Sequence, residues 1–183
     1  AHDKGIIHRD MKPENCFRIE RSGNPDFIKV LDFGIAKVTG EDTGAARLTS
    51  TGMIFGTPTY MSPEQAQGMR VDHRADIYAV GVILYELCTG KVPFYADNFM
   101  GILTKHMFEE PPAPSVVAPQ ADISPEIEAV ILKAMQKDRD LRFQTLRELS
   151  DAILDVGTGA APVDVIPERR SRPITGAQTQ FQR

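Results

Sequence analysis

Residues 8–34 read HRDMKPENCFRIERSGNPDFIKVLDFG, and the interpretation of the chain starts from this stretch. Residues 16–19 and 27–31 have strand-like composition, and the turn-forming residues 22–25 separate them. Strand-formers on either side of such a turn predict a short β-hairpin. The sequence therefore predicts a hairpin between two polar segments that carry carboxylate, amide and cationic side chains.

The region after the hairpin changes from loop chemistry to helix chemistry. Periodicity disappears from Gly34 to about Ile54, and a loop of this length inside a compact domain is usually functional. A helical pattern then runs until Gly90 and Pro93 stop it. Its apolar positions recur at spacings of three and four: Ile77, Val80, Gly81, Leu84, Leu87 and Cys88. Because these positions cover most sides of the helix, we expect it to be the buried axis of the domain.

Further helices are predicted from capping signals. Asp97 can cap a helix through about Phe108, and the proline-rich residues 109–119 form a connector where a helix cannot continue. Ser124 and Pro125 mark another helix start. A last helix follows the capping-box spacing of its Thr and Glu. That pair is Thr145 and Glu148, and Gly157 is predicted to close the helix.

The fold class is thus mainly α with a small β-hairpin. From residue 157 to residue 183 apolar residues thin out, which predicts a flexible tail or linker. Its basic cluster of Arg169, Arg170 and Arg172 is better explained as part of a solvated linker than as a docking site.

Composition and charge bear on the expected partners and on the setting of the protein. The net charge of −4 gives no electrostatic reason to expect nucleic acid as the main ligand. Cys16 and Cys88 lack metal-ligand spacing, which favours a reduced, cytoplasmic setting. No apolar run is long enough to span a bilayer and no signal peptide is visible. The chain enters a motif soon after Ala1, so we expect a fragment of a longer protein.

The segment HRDMKPEN at residues 8–15, followed by DFG at residues 32–34, resembles the catalytic loop and metal-binding turn of protein kinases. Lys12 resembles the serine/threonine branch, and residues 61–66, MSPEQA, resemble bacterial kinases of the eukaryotic type. The resemblance covers about residues 1–156 and implies the C-terminal lobe of a kinase domain, with the N-terminal lobe absent.

The resemblance implies four catalytic and binding residues. Asp10 would orient the substrate hydroxyl and accept its proton, and Lys12 would place a positive charge beside the transferring phosphate. Asn15 and Asp32 would supply oxygen ligands to Mg²⁺, with Mn²⁺ as an alternative, bridging the phosphates of ATP. Taken singly, each could instead be a turn residue, a cap or a surface charge.

The resemblance also implies residues that regulate activity. Arg9 would pair with a phosphate on the activation loop, which suits a guanidinium. Thr49, Ser50 and Thr51 are the candidate phosphorylation sites, although each could be a plain polar loop residue. Phe33 resembles the residue whose packing separates active from inactive states, or it is a core phenylalanine.

A last group of implied residues shapes the site. Residues 56–64 resemble the end of the activation segment, where Thr57 would hydrogen-bond toward Asp10 and Lys12. His8 and Gly34 belong to the two motifs, and Gly34 fits a turn that needs unrestricted backbone angles. Three residues would anchor the fold: Asp76 beneath the catalytic loop, or as a simple helix cap, and Glu64 paired with Arg142.

Parts needed to hold ATP are missing from the sequence given. There is no Gly-rich loop, strand lysine or partner glutamate, and Lys29 belongs to the hairpin. We therefore expect the isolated chain to be inactive. The complete protein is expected to phosphorylate Ser and Thr of proteins, including its own activation loop, and to form a homodimer as resembling kinases do. The alternative is an inactive kinase-fold scaffold; a small-molecule phosphotransferase is disfavoured because residues 56–64 resemble an activation segment.

Overall fold

The computed structural model describes residues 1–33 and 58–158. Within them the chain forms strands β1 (Cys16–Arg21) and β2 (Asn24–Val30). The helices are α1 (Pro63–Ala66), α2 (Arg74–Thr89), α3 (Phe99–Phe108), α4 (Pro114–Val117), α5 (Pro125–Ala134) and α6 (Leu146–Thr158). The described part is therefore mainly helical with one two-stranded sheet, as the sequence predicts.

The β-hairpin is present, with a shorter turn than predicted. β1 and β2 pair antiparallel, from Cys16 opposite Val30 to Arg21 opposite Asn24. Ser22 and Gly23 have φ values of 51° and 79°, and two left-handed residues are what a tight two-residue hairpin turn requires. Asn24 and Pro25, predicted in the turn, lie in β2. A proline is tolerated there because both strands of a two-stranded sheet are edges.

Helix α2 forms the centre of the helical part. Tyr78 and Val82 pack into one buried cluster, and Ile77 packs into a second cluster against α5 and α6. At Gly81 an added Cβ would lie 2.8 Å from the Cβ of Ala134, so the small residue permits the close approach of α2 and α5. Leu87, counted in the predicted apolar surface, is 75% exposed, so one side of the helix end faces solvent.

Two predictions between α2 and α5 are wrong in detail. The cap of α3 is Asn98, whose Oδ1 accepts a hydrogen bond from the N–H of Gly101 at 2.7 Å, and not Asp97. Asp and Asn both cap helices, and Asn98 is the cap here because the first turn of α3 begins at Phe99. The connector over residues 109–119 contains the short helix α4, because Pro114 occupies the first helical position, where a missing N–H costs nothing.

The last two helices begin as predicted and one ends later. Ser124 caps α5 by accepting from Ile127 N–H at 3.3 Å. At the start of α6, Thr145 Oγ1 accepts from Glu148 N–H at 3.0 Å, while the Glu148 carboxylate accepts from Gln144 N–H at 2.8 Å. Helix α6 continues to Thr158, so Gly157 lies within it and does not close it. Among the described residues, no helix has the length and apolar character needed to cross a membrane.

Candidate active site

The start of the loop of residues 8–15 is held by hydrogen bonds from its backbone to one carboxylate of α2. Asp76, 3% exposed, accepts from His8 N–H at 2.8 Å through Oδ2 and from Arg9 N–H at 2.9 Å through Oδ1. The Nε2 atom of His2 also lies 2.7 Å from Asp76 Oδ2. Sequence reasoning assigned His2 no role, because its partner is far along the chain and only the fold brings the two together.

Two residues of the candidate site have backbone angles that side chains usually avoid. Arg9 has φ of 64° and Asp32 has φ of 54°. Left-handed geometry at non-glycine residues costs of order 1 kcal/mol and persists only where surrounding contacts hold it. For Arg9 those contacts include the bond from its N–H to Asp76. The backbone beside Asp10 is therefore held by tertiary contacts and not by local preference.

His8 joins the loop to the end of the hairpin. Its Nε2 lies 2.9 Å from the carbonyl of Leu31, and its Nδ1 accepts from the N–H of Asp10 at 3.2 Å. The carbonyl and the N–H together require a ring protonated at Nε2 only. The ring also lies 4.8 Å from that of Phe33, centroid to centroid. His8 thus connects Asp10 to the segment that carries Asp32 and Phe33.

A second bond closes the same junction. The N–H of Leu31 donates to the carbonyl of Asn15 at 2.9 Å, immediately before β1 begins and after β2 ends. Leu31 is therefore held at its N–H by Asn15 and at its carbonyl by His8. Asp32 follows directly, so the structure brings the backbone of the second motif next to the loop of the first.

Three candidate catalytic residues lie together on the loop. The Lys12 ammonium is 3.3 Å from Asp10 Oδ2, and both side chains are about one-third exposed, at 34% and 35%. The amide nitrogen of Asn15, a buried residue, donates to the carbonyl of Asp10 at 2.8 Å. A solvent-accessible carboxylate beside a mobile cation is suited to receive a proton from an incoming hydroxyl while the cation faces an anionic group.

The donor set fits a hard divalent cation. Because the amide nitrogen of Asn15 is bound to the Asp10 carbonyl, its Oδ1 is the atom left for a metal. Asp32 is exposed and adds a carboxylate, and Mg²⁺ is commonly bound by one or two such oxygens together with phosphate oxygens. The described residues contain no group of three His, Cys, Asp or Glu side chains placed for a metal. One amide oxygen and one carboxylate fit a cation that a phosphate ligand would also help to hold.

Two cavities adjoin the loop. A cavity of about 550 Å³, lined by His2, His8, Phe33 and other residues, includes none of Asp10, Lys12 and Asn15. A small cavity of about 30 Å³ is lined by Asp10, Lys12 and Gln65 among others, which is room for about one water molecule. The larger cavity is therefore not where the candidate catalytic side chains meet.

The Glu64–Arg142 pair anchors the segment that follows the site. Arg142 Nη1 and Nη2 each donate to a Glu64 oxygen at 2.8 Å, and the Arg142 side chain has no exposed surface. Its remaining N–H groups donate to the carbonyls of Gln136, Arg74 and Lys137. Burial alone would raise the pKa of Glu64, but the hydrogen bonds and charge of Arg142 outweigh it and the pKa is lowered. The pair is thus a fully satisfied ion pair.

Several predicted site residues lie outside the described residues. They are Gly34, Thr49, Ser50, Thr51 and Thr57. The predicted contacts of Thr57 with Asp10 and Lys12, and of Arg9 with a phosphorylated loop, therefore stay predictions.

Comparison with known proteins identifies the class to which this fold and site belong. The protein kinase domain family matches residues 1–152, so the chain belongs to the protein kinase family. It is 55% identical over 138 residues to the serine/threonine-protein kinase pkn3 of Myxococcus xanthus, covering 75% of this chain and 25% of that protein. It is 43% identical over 162 residues to the serine/threonine-protein kinase PknB of Mycolicibacterium smegmatis, covering 88% of this chain and 25% of that protein.

These relatives refine the class to the bacterial eukaryotic-type kinases that the sequence resembles. A third, the serine/threonine-protein kinase Pkn1 of Myxococcus xanthus, is 45% identical over 153 residues, covering 84% of this chain and 21% of that protein. The chain thus spans about a quarter or less of the length of each of these relatives.

Proposed function

We propose that this chain is the C-terminal, substrate-handling lobe of a serine/threonine protein kinase. The complete protein would transfer the γ-phosphate of ATP to Ser and Thr hydroxyls of proteins, including its own activation loop. The observation that carries the proposal is the junction at Leu31. Its bonds to Asn15 and His8 support the proposal, because they hold the backbone that precedes Asp32 against the loop that carries Asp10, Lys12 and Asn15. These side chains would supply the proton acceptor, the cationic group and the metal ligands that this lobe contributes to phosphoryl transfer, a reaction that depends mainly on positioning and neutralisation of charge.

Each residue then has a chemical task. Asp10 accepts the proton of the substrate hydroxyl. As it does so, the hydroxyl oxygen bonds to the γ-phosphorus of ATP, and the bond between that phosphorus and the bridging oxygen, which stays with ADP, breaks. Lys12 leans toward Asp10 in the structure and would turn its ammonium to the transferred phosphoryl group. The one-third exposure of both side chains supports their access to a protein substrate.

Asn15 and Asp32 would hold the divalent cation, proposed to be Mg²⁺ with Mn²⁺ as an alternative. The cation, when bound, neutralises charge on the phosphate oxygens. Asn15 is suited to this because its buried side chain is fixed at one end by the Asp10 carbonyl, which leaves its oxygen in a defined place. Asp32 is held less directly, through the backbone of Leu31.

The rest of the ATP site is proposed to lie in the other part of a longer protein. The Gly-rich loop, the strand lysine and its glutamate would come from there, and the chain alone would bind ATP poorly. In this proposal residues 1–156 form the lobe and residues 157–183 a linker, in a cytoplasmic, homodimeric kinase without nucleic-acid partners. Arg9 would sense a phosphate at Thr49, Ser50 or Thr51, with Phe33 reporting the active state.

The deciding experiment is transfer of the γ-phosphate of ATP, with Mg²⁺, by the full-length protein to itself and to a generic basic protein. The matched control is Asp10→Asn, which keeps the shape of the side chain and removes the proton acceptor. Phosphoserine and phosphothreonine should form and should vanish in the control. Absence of transfer by folded protein with a phosphorylated activation loop would favour an inactive scaffold instead.

A further inference from the structure

Gln65 of α1 contacts the catalytic loop at the peptide bond that precedes Asp10. Its Nε2 donates to the carbonyl of Arg9 at 2.9 Å, across a separation of 56 residues. That carbonyl belongs to the peptide unit joining Arg9 to Asp10. The N–H of the same unit donates to His8 Nδ1 at 3.2 Å. Both polar ends of the Arg9–Asp10 peptide are therefore occupied, one by His8 and the other by Gln65.

The amide of Gln65 has only one orientation that satisfies both of its neighbours. Its Oε1 accepts from the backbone N–H of Ser62 at 3.1 Å, and the backbone N–H of Gln65 donates to Ser62 Oγ at 3.4 Å, which completes a capping box at the start of α1. An N–H must face the oxygen and a carbonyl must face the nitrogen, so the cap fixes which end of the amide reaches Arg9.

We propose that Gln65 is a positioning residue for catalysis, which fixes the plane of the Arg9–Asp10 peptide and so aims the Asp10 carboxylate. The inference rests on the proposed kinase function. Asp76 holds the preceding N–H groups of His8 and Arg9, but no bond from Asp76 fixes the carbonyl of Arg9. Because Arg9 has φ of 64°, the peptide that follows it is held in place by its contacts, and Gln65 supplies the contact at its carbonyl.

The arrangement also couples two parts of the kinase. Gln65 lies on the helix that follows residues 34–57, the span where the phosphorylation sites are predicted. Its neighbour Glu64 fixes that helix to the core through Arg142. A displacement of α1 would therefore withdraw the donor from the Arg9 carbonyl and loosen Asp10, without moving Asp10 directly.

The test compares three variants of the full-length kinase. Gln65→Glu keeps an oxygen for the Ser62 N–H but removes the donor to Arg9, and Gln65→Met removes the donor without adding charge. Ser62→Ala removes the capping hydroxyl, keeps the backbone N–H of residue 62, and leaves Gln65 able to reach Arg9. The two Gln65 variants share only the loss of the Arg9 bond, so the comparison isolates that bond.

We expect kcat to fall about tenfold in both Gln65 variants, which is the effect of losing about one hydrogen bond at the reacting geometry. The KM for ATP should stay within about twofold, because the ATP-binding groups are untouched. Ser62→Ala should retain kcat within about twofold. Thermal unfolding checks that all three variants are folded. If one Gln65 variant is not folded, the other Gln65 variant is used for the comparison.

Three results would overturn the proposal. Unchanged kcat in folded Gln65→Met would show that the bond does not position Asp10. A loss confined to Gln65→Glu would trace the effect to added charge, and an equal loss in Ser62→Ala would trace it to the cap. An inactive unmodified protein would instead count against the kinase function itself, so the two failures are distinguishable.

Discussion

Two buried carboxylates, Glu64 and Asp76, lie on successive helices of the chain and are stabilised by different means. Glu64 is 5% exposed and faces the guanidinium of Arg142, so a full opposite charge offsets its burial. Asp76 is 3% exposed, and its bonds to the loop come from the backbone N–H groups of His8 and Arg9. Glu64 therefore joins two elements of the core, whereas Asp76 sets the shape of a loop. The difference separates residues that maintain the fold from residues that maintain the site.

The largest expected effect is on the core side of this comparison. Arg142→Met leaves Glu64 buried without its partner and removes donors from three backbone carbonyls. Removing one member of a buried pair costs about 3 to 5 kcal/mol, and urea unfolding of the chain should show that loss. The matched control is Glu109→Gln, which breaks the exposed pair with Lys105 and should cost at most about 0.5 kcal/mol. Similar losses in the two variants would contradict the assignment of Arg142 to the core.

Asp76→Asn is expected to lose less stability than Arg142→Met, and its main effect should be on activity. The variant keeps one oxygen and turns the other position into a donor that faces a backbone N–H, which should cost about 1 to 3 kcal/mol in unfolding free energy. In the full-length kinase, kcat should fall about a hundredfold because the loop beside Asp10 is displaced. Steady-state kinetics beside urea unfolding would measure both. If kcat were retained while stability fell as far as in Arg142→Met, the two carboxylates would have the same role.

The smallest expected effect, counted per pH unit, is a pH dependence of the unfolding free energy that arises in the core. Burial first, and the charge of Lys137 second, lower the pKa of His106 to about 3, and its Nδ1 lies 2.9 Å from Tyr78 Oη. In the unfolded chain His106 takes up a proton as the pH falls through about 6.5, whereas in the folded chain it stays neutral down to about 3. Stability is therefore lost as the pH falls below about 6.5. The unfolding free energy should drop by about 1.4 kcal/mol per pH unit below about 6.5.

His106→Asn supplies the control for that pH dependence, since its oxygen can still accept from Tyr78 and it does not titrate. Urea unfolding at pH 7, 6 and 5 should give a flatter dependence for the variant. Glu64 does not confuse this range: its pKa is lowered from 4.5, so its contribution is present above 4.5 and is lost only at lower pH. An equal slope in both proteins would show that another group carries the pH dependence.

Periodicity and turn chemistry were enough to predict the hairpin and α2, because those elements are determined by local residue preferences. The contacts of Asp76 and of Glu64 with Arg142 came from the family resemblance, since they join residues that lie 67 and 78 positions apart. Asp97 and Asn98 have equal capping ability by type, so only the register of α3 distinguishes them. Gln65 entered the sequence analysis only as part of residues 61–66, and its bond to the carbonyl of Arg9 exists only after the loop folds against α1.

The junction at Leu31 has a consequence for how this family can vary. The chain leaves the loop at Asn15, runs through β1 and β2, and returns to bond with the carbonyl of Asn15, so residues 15–31 form a closed ring. The backbone separation of Asn15 and Asp32 is determined by the hydrogen bond between Leu31 and Asn15 and does not depend on the length of the hairpin between them. The exposed tip at Ser22 and Gly23 can therefore change in length or sequence while Asn15 and Asp32, the proposed metal ligands, stay in place.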